Sequence, residues 1–386
     1  MKAFETLMRA FIERYGHTAR CFRAPGRVNL IGEHTDYNGG FVLPMAIDRS
    51  TFVAASPRED HLVNVHSLNR EESFTFDLDH PGEPRRGLWL DYVEGVARAL
   101  ESRGVTLRGA NLMLISDVPE GAGLSSSAAL EVSTGLALTS ISGAEVDRVT
   151  LALAGQQAEH TYVGTMCGIM DQFVAALGQE GHALLIDCRT LEASPVPLDT
   201  SRVCVAITDT NVKHELSGSE YNARRAECEE GVRLLRQFLP GIEQLRDVSV
   251  EEFERYAAEL PEVVRRRCKH IVTEDARTLS AADALRKGDL KEVGRLMRLS
   301  HESLRDDYEV SCRELDVLAE TAWGVEGVLG SRMTGGGFGG STVSLVRRER
   351  LAEFRAALEA PYSARFGHPP TFYVSDAGGG AEEIKG

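Results

Sequence analysis

Short runs in which apolar and polar residues alternate one by one are interspersed along the chain with longer stretches in which apolar residues recur every three or four positions. The first pattern predicts β-strands, and the second predicts amphipathic helices. In the first sixteen residues, apolar side chains from Phe4 to Tyr15 recur at helical intervals with charged residues between them. This pattern predicts an amphipathic helix rather than a secretion signal. Residues 20–80 then predict strands joined by hairpins.

Beyond residue 80, predicted helices and strands are mixed along the chain, without an internal repeat. The next elements are predicted as helices at 88–103, 124–142 and 147–163 and as strands at 107–115, 183–187, 203–209 and 372–374. The stretch from Ser219 to Glu359 is mostly helical and charged, interrupted by a β-like run from Thr342 to Val346. Such a mixture predicts an α+β fold. Prolines interrupt the pattern near Thr200, so we predict an N-terminal domain at 1–200 and a C-terminal domain at 201–386.

The first polar cluster follows directly on a predicted strand that begins near Ala24. Alternation puts Arg27 and Asn29 on one face of this strand and apolar residues on the other, which anchors the arginine. Gly32 ends the strand. The polar residues that follow it are Glu33, His34 and Asp36. Loops at strand ends commonly carry functional sites, but a charged hairpin tip with an incidental salt bridge explains this segment equally well.

A glycine- and serine-rich segment, Val118 to Leu130, lies between a predicted strand and a predicted helix. Its glycines let backbone N–H groups approach an anion, its serines can cap the helix, and the helix N-terminus supplies positive potential. We therefore predict a phosphate-binding loop in this segment, with a plain capped turn as the alternative. Because the segment lacks a Gly-Lys-Ser/Thr triplet, phosphate charge must be balanced by the backbone, by magnesium or by an arginine such as Arg27.

A second glycine run, Met333 to Val343, formally matches the dinucleotide-binding pattern GxGxxG. That pattern should open a helix inside a βαβ unit, whereas here β-branched Thr342 and Val343 begin a strand. A protein-kinase glycine loop is also excluded, since the sequence has neither a His-Arg-Asp nor an Asp-Phe-Gly motif. So dense a run predicts a close backbone approach to a ligand or to another loop, with a flexible turn as the alternative.

Two further carboxylates are candidates for the site. Asp171 lies in an apolar setting, where a carboxylate is costly unless it is paired, and Arg27 is the attractive partner. By itself an aspartate such as Asp171 is more often an N-cap, here for a helix that starts at Gln172. Glu159 lies in a helical stretch, where a lone glutamate is usually solvated.

Composition and charge exclude several classes of protein. The formal net charge of −15 disfavours non-specific binding to nucleic acids or to anionic membranes. Seven scattered cysteines without a CxxC pair disfavour both a disulfide framework and structural zinc, and they fit a reducing cytoplasm. No uninterrupted apolar stretch approaches the roughly 20 residues of a membrane-spanning helix.

Taken together, these segments resemble the GHMP small-molecule kinases. The matching segments, in the order expected for that family, are Pro25 to Gly40, Pro119 to Ala129 and Met333 to Gly340. The first is similar to the galactokinase signature in particular, and Cys167 to Gln172, Asp209 to His214 and Ser219 to Asn222 match the same subfamily. Ser341 departs from the pattern, in which a cysteine follows the last glycines.

The resemblance implies ATP-dependent phosphorylation of α-D-galactose at its C1 hydroxyl, giving α-D-galactose 1-phosphate and ADP, the first committed step of galactose utilisation by the Leloir pathway. It also implies two α+β lobes, an N-terminal ribosomal-protein-like lobe and a C-terminal ferredoxin-like lobe, with the site between them. Clefts between lobes are common ligand sites.

The resemblance further implies a role for each matching residue. Asp171 would be the catalytic base, and Arg27 would stabilise the transition state. Galactose would be held by Glu33, His34, Thr35, Asp36 and Tyr221. The ATP phosphates would be wrapped by Gly121, Ala122, Gly123, Leu124, Ser125, Ser126 and Ser127. Mg²⁺ would be held by Ser127 and Glu159, whose oxygens are the hard ligands that this ion prefers.

Two alternatives remain open. The same scaffold resembles kinases for N-acetylgalactosamine and other sugars or alcohols, although the carboxylates at Glu33 and Asp36 favour a polyhydroxylated ligand over a mevalonate-like acid. The second alternative is a non-catalytic galactose sensor, which the intact Ser127, Asp171 and Arg27 disfavour. The predicted partners are galactose and ATP, with no nucleic acid and no membrane, and we predict a cytoplasmic monomer.

Overall fold

The computed structural model describes residues 2–213 and 217–385. The predicted signature segment Asp209 to His214 therefore ends outside the described residues. The α-helices are α1 Lys2–Tyr15, α2 Leu90–Glu101, α3 Ser126–Ser142, α4 Arg148–Ala158, α5 Met170–Leu177, α6 Ser217–Leu235, α7 Val250–Tyr256, α8 Glu262–Arg286, α9 Leu290–Asp306, α10 Arg313–Trp323 and α11 Leu351–Phe366. The strands are β1 Arg20–Asn29, β2 Phe41–Val42, β3 Pro44–Pro57, β4 Leu62–Ser67, β5 Glu72–Asp77, β6 Ala110–Ser116, β7 His182–Asp187, β8 Glu192–Pro197, β9 Val203–Lys213, β10 Val328–Thr334, β11 Gly339–Arg347, β12 Thr371–Ser375 and β13 Glu382–Ile384.

The first lobe is a six-stranded sheet, in the order β13-β1-β3-β6-β4-β5, with α1 to α5 packed on it. Strand alternation divides its side chains between two cores. Phe22 and Val53 point into the core shared with α2 to α5, whereas their neighbours Cys21, Phe52 and Ala54 pack against α1. Because both faces are covered, β1 and β3 are buried along most of their length.

The second lobe is an antiparallel four-stranded sheet, in the order β10-β11-β9-β12, with α9, α10 and α11 packed on it. A three-stranded sheet, β2-β7-β8, packs against α8 and lies between the two lobes. One hydrophobic core joins all three sheets: it contains Val28 from β1, Ala183 from β7 and Val343 from β11. The α+β class and the two lobes predicted from the sequence are confirmed.

The end of the chain returns to the first lobe. Strand β13 pairs with β1, and Arg20 and Arg23 make ion pairs with Glu383 and Glu382. The domain boundary near Thr200 stays a prediction. The structure shows in addition that the last strand, β13, lies in the sheet of the first lobe. Among the described helices, none is both long and apolar enough to span a bilayer.

Three strands do not follow from the sequence pattern. Pro195 and Pro197, which interrupt the predicted pattern, lie in β8, which is an edge strand where proline is tolerated. Strand β10 carries buried polar residues, among them Ser331 and Arg332, so it does not show the apolar signal of a strand. Strand β13 has only three residues.

Candidate active site

An arginine–aspartate pair lies where the first lobe faces the glycine-rich loops. Nε and Nη2 of Arg27, on β1, each donate to one carboxylate oxygen of Asp171 over 2.7 Å. Asp171 lies in the first turn of α5, which begins at Met170, so it is not the N-cap of that helix. Burial alone would lower the pKa of Arg27, but the carboxylates of Asp171 and Glu33 outweigh it and raise the pKa above its usual range. Arg27 is therefore a fixed cation.

The loop Gly121 to Ser127, called the serine-rich loop below, makes hydrogen bonds with the same arginine–aspartate pair. Ser125 has a left-handed backbone, with φ of 55°, and its hydroxyl donates to Asp171 instead of capping α3. The loop carbonyls of Ala122, Gly123 and Leu124 each accept a hydrogen bond from a neighbouring segment, the last two from Arg27. Three carbonyls of the loop are therefore engaged by neighbouring segments, and α3 begins at Ser126.

Glu33 lies at the centre of the loop that follows β1 and is 1 % exposed. Its carboxylate accepts hydrogen bonds from the Asn29 side chain and from the backbone N–H of Gly335, and it lies 3.8 Å from Nη2 of Arg332. Burial raises the pKa of Glu33, while Arg332 and Arg27 act against that shift. The carboxylate therefore joins strand β1 to the glycine run of the second lobe.

His34 follows with a left-handed backbone, at φ of 65°. Its Nδ1 lies 2.8 Å from the Tyr37 hydroxyl, and its ring packs against those of Tyr221 and Tyr308. Burial lowers the pKa of His34 to about 3, so the imidazole is neutral at physiological pH. Its Nε2 is buried and makes no hydrogen bond of normal geometry within the described residues, although the nearby backbone of Gly336 acts to raise the pKa of the ring.

Asp36 stands beside Asp171, and burial raises its pKa to about 7, with the charge of Asp171 as the next cause. The backbone of Gly168 passes so close that a Cβ there would lie 1.7 Å from Oδ2 of Asp36. Thr35 differs from its neighbours because it is fully buried and its hydroxyl donates to the carbonyls of Gly32 and Phe41. This geometry favours a structural role for Thr35, which holds the loop closed.

Glu159 opens a single π-helical turn, Glu159–Val163, at the end of α4. Burial raises the pKa of Glu159 to about 7, against hydrogen bonds from the Ser127 and Thr165 side chains. Glu131 lies one turn along α3 from Ser127 and next to Glu159. It is fully buried and accepts a hydrogen bond from the Gln172 side chain at 2.9 Å. The described residues contain no group of three or more His, Cys, Asp or Glu placed to hold a metal ion.

These residues line a cavity of about 320 Å³ between the lobes. Its lining includes Arg27, Glu33, His34, Asp36, Ser127, Glu159, Asp171, Tyr221, Gly335 and Gly336. A second cavity, of about 290 Å³, lies on the other side of the serine-rich loop. Its lining includes Ser67, Asn69, Arg70, Trp89, Gly121, Ser126 and Leu130. Tyr92 and Ser127 line both cavities, so the two sites are neighbours.

The glycine run of the second lobe is explained by close backbone approach. A Cβ on Gly337 would lie 2.3 Å from the carbonyl oxygen of Val310, and the backbone of Gly335 passes that of Gly123. Strand β11 begins at Gly339, which excludes a helix after the glycines. Ser341, the position that departs from the expected cysteine, donates from its hydroxyl to the Ala122 carbonyl.

Comparison with known proteins assigns the chain to a family. Residues 9–57 match the galactokinase galactose-binding signature, and residues 91–179 and 281–364 match the N-terminal and C-terminal domains of the GHMP kinases. The chain is 52 % identical over 381 residues to a galactokinase from Chloroflexus aggregans, covering 98 % of this chain and 97 % of that protein. The chain belongs to the galactokinase family. A galactokinase from Roseiflexus sp. is 48 % identical over 379 residues, covering 98 % and 96 % of the two chains.

The chain also shares its fold with a galactokinase of known structure. The crystal structure of Lactococcus lactis galactokinase complexed with galactose superposes with a TM-score of 0.95 at 39 % identity, covering 99 % of this chain and 100 % of that one. The mevalonate kinase of Methanococcus jannaschii superposes with a TM-score of 0.65 at 17 % identity, covering 94 % and 99 %. At that identity the second likeness shows the fold alone.

The quoted galactokinase motifs other than Asp209 to His214 each contribute to the lining of the cavity between the lobes, but several residues that line the two cavities carry no sequence signal. Tyr92 and Trp89 come from the start of α2 and the turn before it, far along the chain from every motif. An aromatic pair three residues apart is typical of an ordinary amphipathic helix, so the sequence does not single it out. The close approach of Gly168 to Asp36 is likewise visible only in the structure.

Proposed function

We propose that this chain transfers the γ-phosphoryl group of ATP to the anomeric hydroxyl of α-D-galactose, giving α-D-galactose 1-phosphate and ADP. The observation that carries the proposal is the cavity between the lobes. It brings the galactokinase signature residues Glu33, His34 and Asp36 beside the Arg27–Asp171 pair and the serine-rich loop. Carboxylates with an imidazole suit a polyhydroxylated ligand, because each sugar hydroxyl can both donate and accept.

In this proposal, Asp171 orients the C1 hydroxyl and accepts its proton as the new O–P bond forms and the bond to ADP breaks. Because the transition state of phosphoryl transfer is loose, the proton can leave late, and positioning matters more than strong basicity. Arg27 and Ser125 hold the two oxygens of Asp171 in place. The fixed charge of Arg27 is also placed to stabilise the negative charge of the transferring group.

The nucleotide would occupy the second cavity. Its lining includes Gly121, Ser126 and Ser127 of the serine-rich loop, and the N-terminus of α3 adds positive potential for phosphate. The carbonyls of Ala122 and Gly123 in the same loop accept hydrogen bonds from neighbouring segments, so they are not free to face a phosphate. Trp89, Asn69 and Arg70 line the far side, where an aromatic ring and polar groups suit a nucleoside. We therefore propose that Gly121 to Ser127 hold the phosphates and that the Trp89 side of the cavity holds the adenosine.

Mg²⁺ fits the chemistry of Ser127 and Glu159. Glu159 lies near Glu131 and Asp171, so this end of the cavity gathers carboxyl groups whose ionised forms a divalent cation would stabilise. We propose that the Ser127 hydroxyl and the Glu159 carboxylate hold the ion together with ATP and water, since this ion usually takes few protein ligands. When bound, it would neutralise charge on the phosphates. A cytoplasmic location and a monomeric state stay predictions.

The first test is a coupled assay of ADP release with magnesium-ATP against galactose, N-acetylgalactosamine, glucose, arabinose and mevalonate. We expect turnover with galactose, and we expect Asp171→Asn to lower kcat by about 10²- to 10⁴-fold while galactose binding persists by calorimetry. Near-normal kcat in that variant would refute the role of Asp171. Galactose binding without turnover by the wild type would support a sensor instead.

A further inference from the structure

A row of hydrogen-bonding groups runs from the interior of the second lobe to the sugar cavity. Nδ1 of His34 is 2.8 Å from the Tyr37 hydroxyl, which is 2.7 Å from the Tyr308 hydroxyl, which is 3.2 Å from Sγ of Cys228. Tyr308 and Cys228 are buried, and neither lines the cavity. At the other end of the row, His34 presents a buried Nε2 that makes no hydrogen bond of normal geometry in the described part of the chain, although the backbone of Gly336 lies close to the ring.

We propose that Tyr37 and Tyr308 are positioning residues that fix His34 as the tautomer with its proton on Nε2, so that His34 donates a hydrogen bond to a hydroxyl oxygen of the sugar. This inference rests on the proposed function and adds a specificity device to it. A neutral imidazole has one N–H, and the partner of one ring nitrogen decides which nitrogen carries the proton. Here the partner of Nδ1 is Tyr37.

The direction of the row follows from donor and acceptor strength. An imidazole nitrogen is a strong acceptor and a phenol is a strong donor, whereas a phenolic oxygen is a poor acceptor for an imidazole N–H. The favoured arrangement therefore has Tyr37 donating to Nδ1 of His34, Tyr308 donating to Tyr37, and Cys228 donating its weak S–H bond to Tyr308. Each hydroxyl then donates once and accepts once, and the proton of His34 is left on Nε2.

The surroundings of the cavity favour the same tautomer. Besides His34, the cavity is lined by the carboxylates of Glu33, Asp36 and Asp171, which accept hydrogen bonds when ionised. A sugar hydroxyl that donates to one of these carboxylates still has lone pairs, and it needs an N–H or O–H donor to satisfy them. An Nε2–H group on His34 supplies such a donor, whereas an unprotonated Nε2 would compete with the carboxylates for the same hydroxyl proton.

The direct test is ¹⁵N NMR of histidine-labelled protein, because protonated and unprotonated ring nitrogens of a neutral imidazole resonate far apart. The His34 signals are assigned by their loss in His34→Gln and, independently, by their shift in Tyr37→Phe. We expect Nε2 to be the protonated nitrogen, with and without galactose. A protonated Nδ1 in the galactose-bound protein would overturn the proposal.

Kinetics supply the second test. We expect Tyr37→Phe to raise KM for galactose by about threefold to tenfold, the worth of one hydrogen bond, with kcat within about twofold. Tyr308→Phe should have a smaller effect of the same kind, since it is one bond further away. Tyr362→Phe is the matched control, because Tyr362 is fully buried like Tyr308 and donates one hydrogen bond, to the Thr210 carbonyl, outside the site.

Deoxygalactoses separate a specific contact from general loosening. The penalty of Tyr37→Phe should vanish for the one analogue among 2-, 3-, 4- and 6-deoxygalactose that lacks the hydroxyl facing His34. An equal penalty with galactose and all four analogues would mean that Tyr37 only supports the fold, and the proposal would fail. Failure of the proposed function looks different, since the wild-type protein would then phosphorylate none of these sugars.

Discussion

At the scale of single residues, the Arg27–Asp171 ion pair is held by additional hydrogen bonds besides the two between its own charged groups. Arg27 reaches both oxygens of Asp171 and also the carbonyl of Gly123, and Ser125 adds a bond to the same aspartate. A catalytic group fixed from several sides loses little freedom when the substrate binds, which is the physical content of preorganisation. Ser125 adopts a left-handed backbone to make its bond, a conformation that non-glycine residues seldom take.

Gly168 gives a prediction at this scale. Because a Cβ on residue 168 would overlap the carboxylate of Asp36, Gly168→Ala must move either the loop or the aspartate. A displacement of about 1 Å in a site of this kind typically costs up to about 10²-fold, so we expect kcat/KM for galactose to fall by about 10- to 100-fold. Steady-state kinetics against galactose measure the effect.

The matched control is Gly379→Ala. Gly379 has open space around its Cα and no positive φ, so alanine fits there and kcat/KM should stay within about twofold of wild type. If Gly168→Ala retained wild-type kcat/KM with an unchanged melting temperature, the close approach of Gly168 to Asp36 would not matter for activity.

The sequence predicts some of these residues and not others, for a physical reason. Pairing of Arg27 with Asp171 follows from the cost of an unpaired carboxylate in apolar surroundings, and the structure contains that pair. The bond from Ser125 to Asp171 does not follow, because a serine before a helix is ordinarily its cap. The structural role of Thr35 is hidden in the same way, since its neighbours in sequence point into the cavity and it does not.

At the scale of secondary-structure elements, helix α8 supports the loop between β1 and β2, residues 30–40, from behind. Its His270 lies 3.1 Å from the carbonyl of Glu33, its Glu274 accepts from the backbone of Gly32, and its Asp275 accepts from the backbone of Phe41 at the start of β2. Three of the side chains that hold the loop therefore come from one long helix, α8. Nothing in the helical pattern of residues 262–286 marks these buried polar positions, because they interrupt its apolar face.

Asp275 gives a prediction for the pH dependence of stability. Burial raises its pKa to about 7, so the folded protein holds a proton there that the unfolded chain releases above its ordinary pKa near 4. The contribution of Asp275 to the free energy of unfolding is therefore most favourable below about pH 4 and is lost as the pH rises to about 7. Asp275→Asn keeps the acceptor for Phe41 and removes the titration. We therefore expect its free energy of unfolding, relative to wild type, to improve by about 2 to 3 kcal/mol between pH 5 and pH 8.

Urea denaturation at both pH values measures this difference, and Asp306→Asn is the control. Asp306 pairs with Arg305, and the hydrogen bond from that arginine lowers its pKa. Its contribution is therefore complete above about pH 4, and the effect of Asp306→Asn should be the same at pH 5 and pH 8. An Asp275→Asn effect that was equally flat would contradict the raised pKa of Asp275.

At the scale of the whole molecule, the two lobes are joined through the site itself. Thr334 of the second lobe exchanges hydrogen bonds with the backbone of Asn29 in the first, and Gly335 donates to Glu33. Beneath these bonds lies the hydrophobic core that contains residues of all three sheets. Lobes joined by a small polar interface move independently, whereas a shared apolar core opposes that motion. We therefore expect the lobes to unfold together.

Calorimetry tests this coupling. We expect one cooperative unfolding transition, and saturating galactose should shift the whole transition, because a ligand bound only to the folded state stabilises every part that unfolds with it. At 100 times Kd the gain is about 2.7 kcal/mol, which raises Tm by about 3 to 5 °C in a chain of this size. Sorbitol at the same concentration controls for general osmolyte effects. Two separate transitions, only one of which responds to galactose, would show that the lobes unfold independently and that the core joining them contributes little to their coupling.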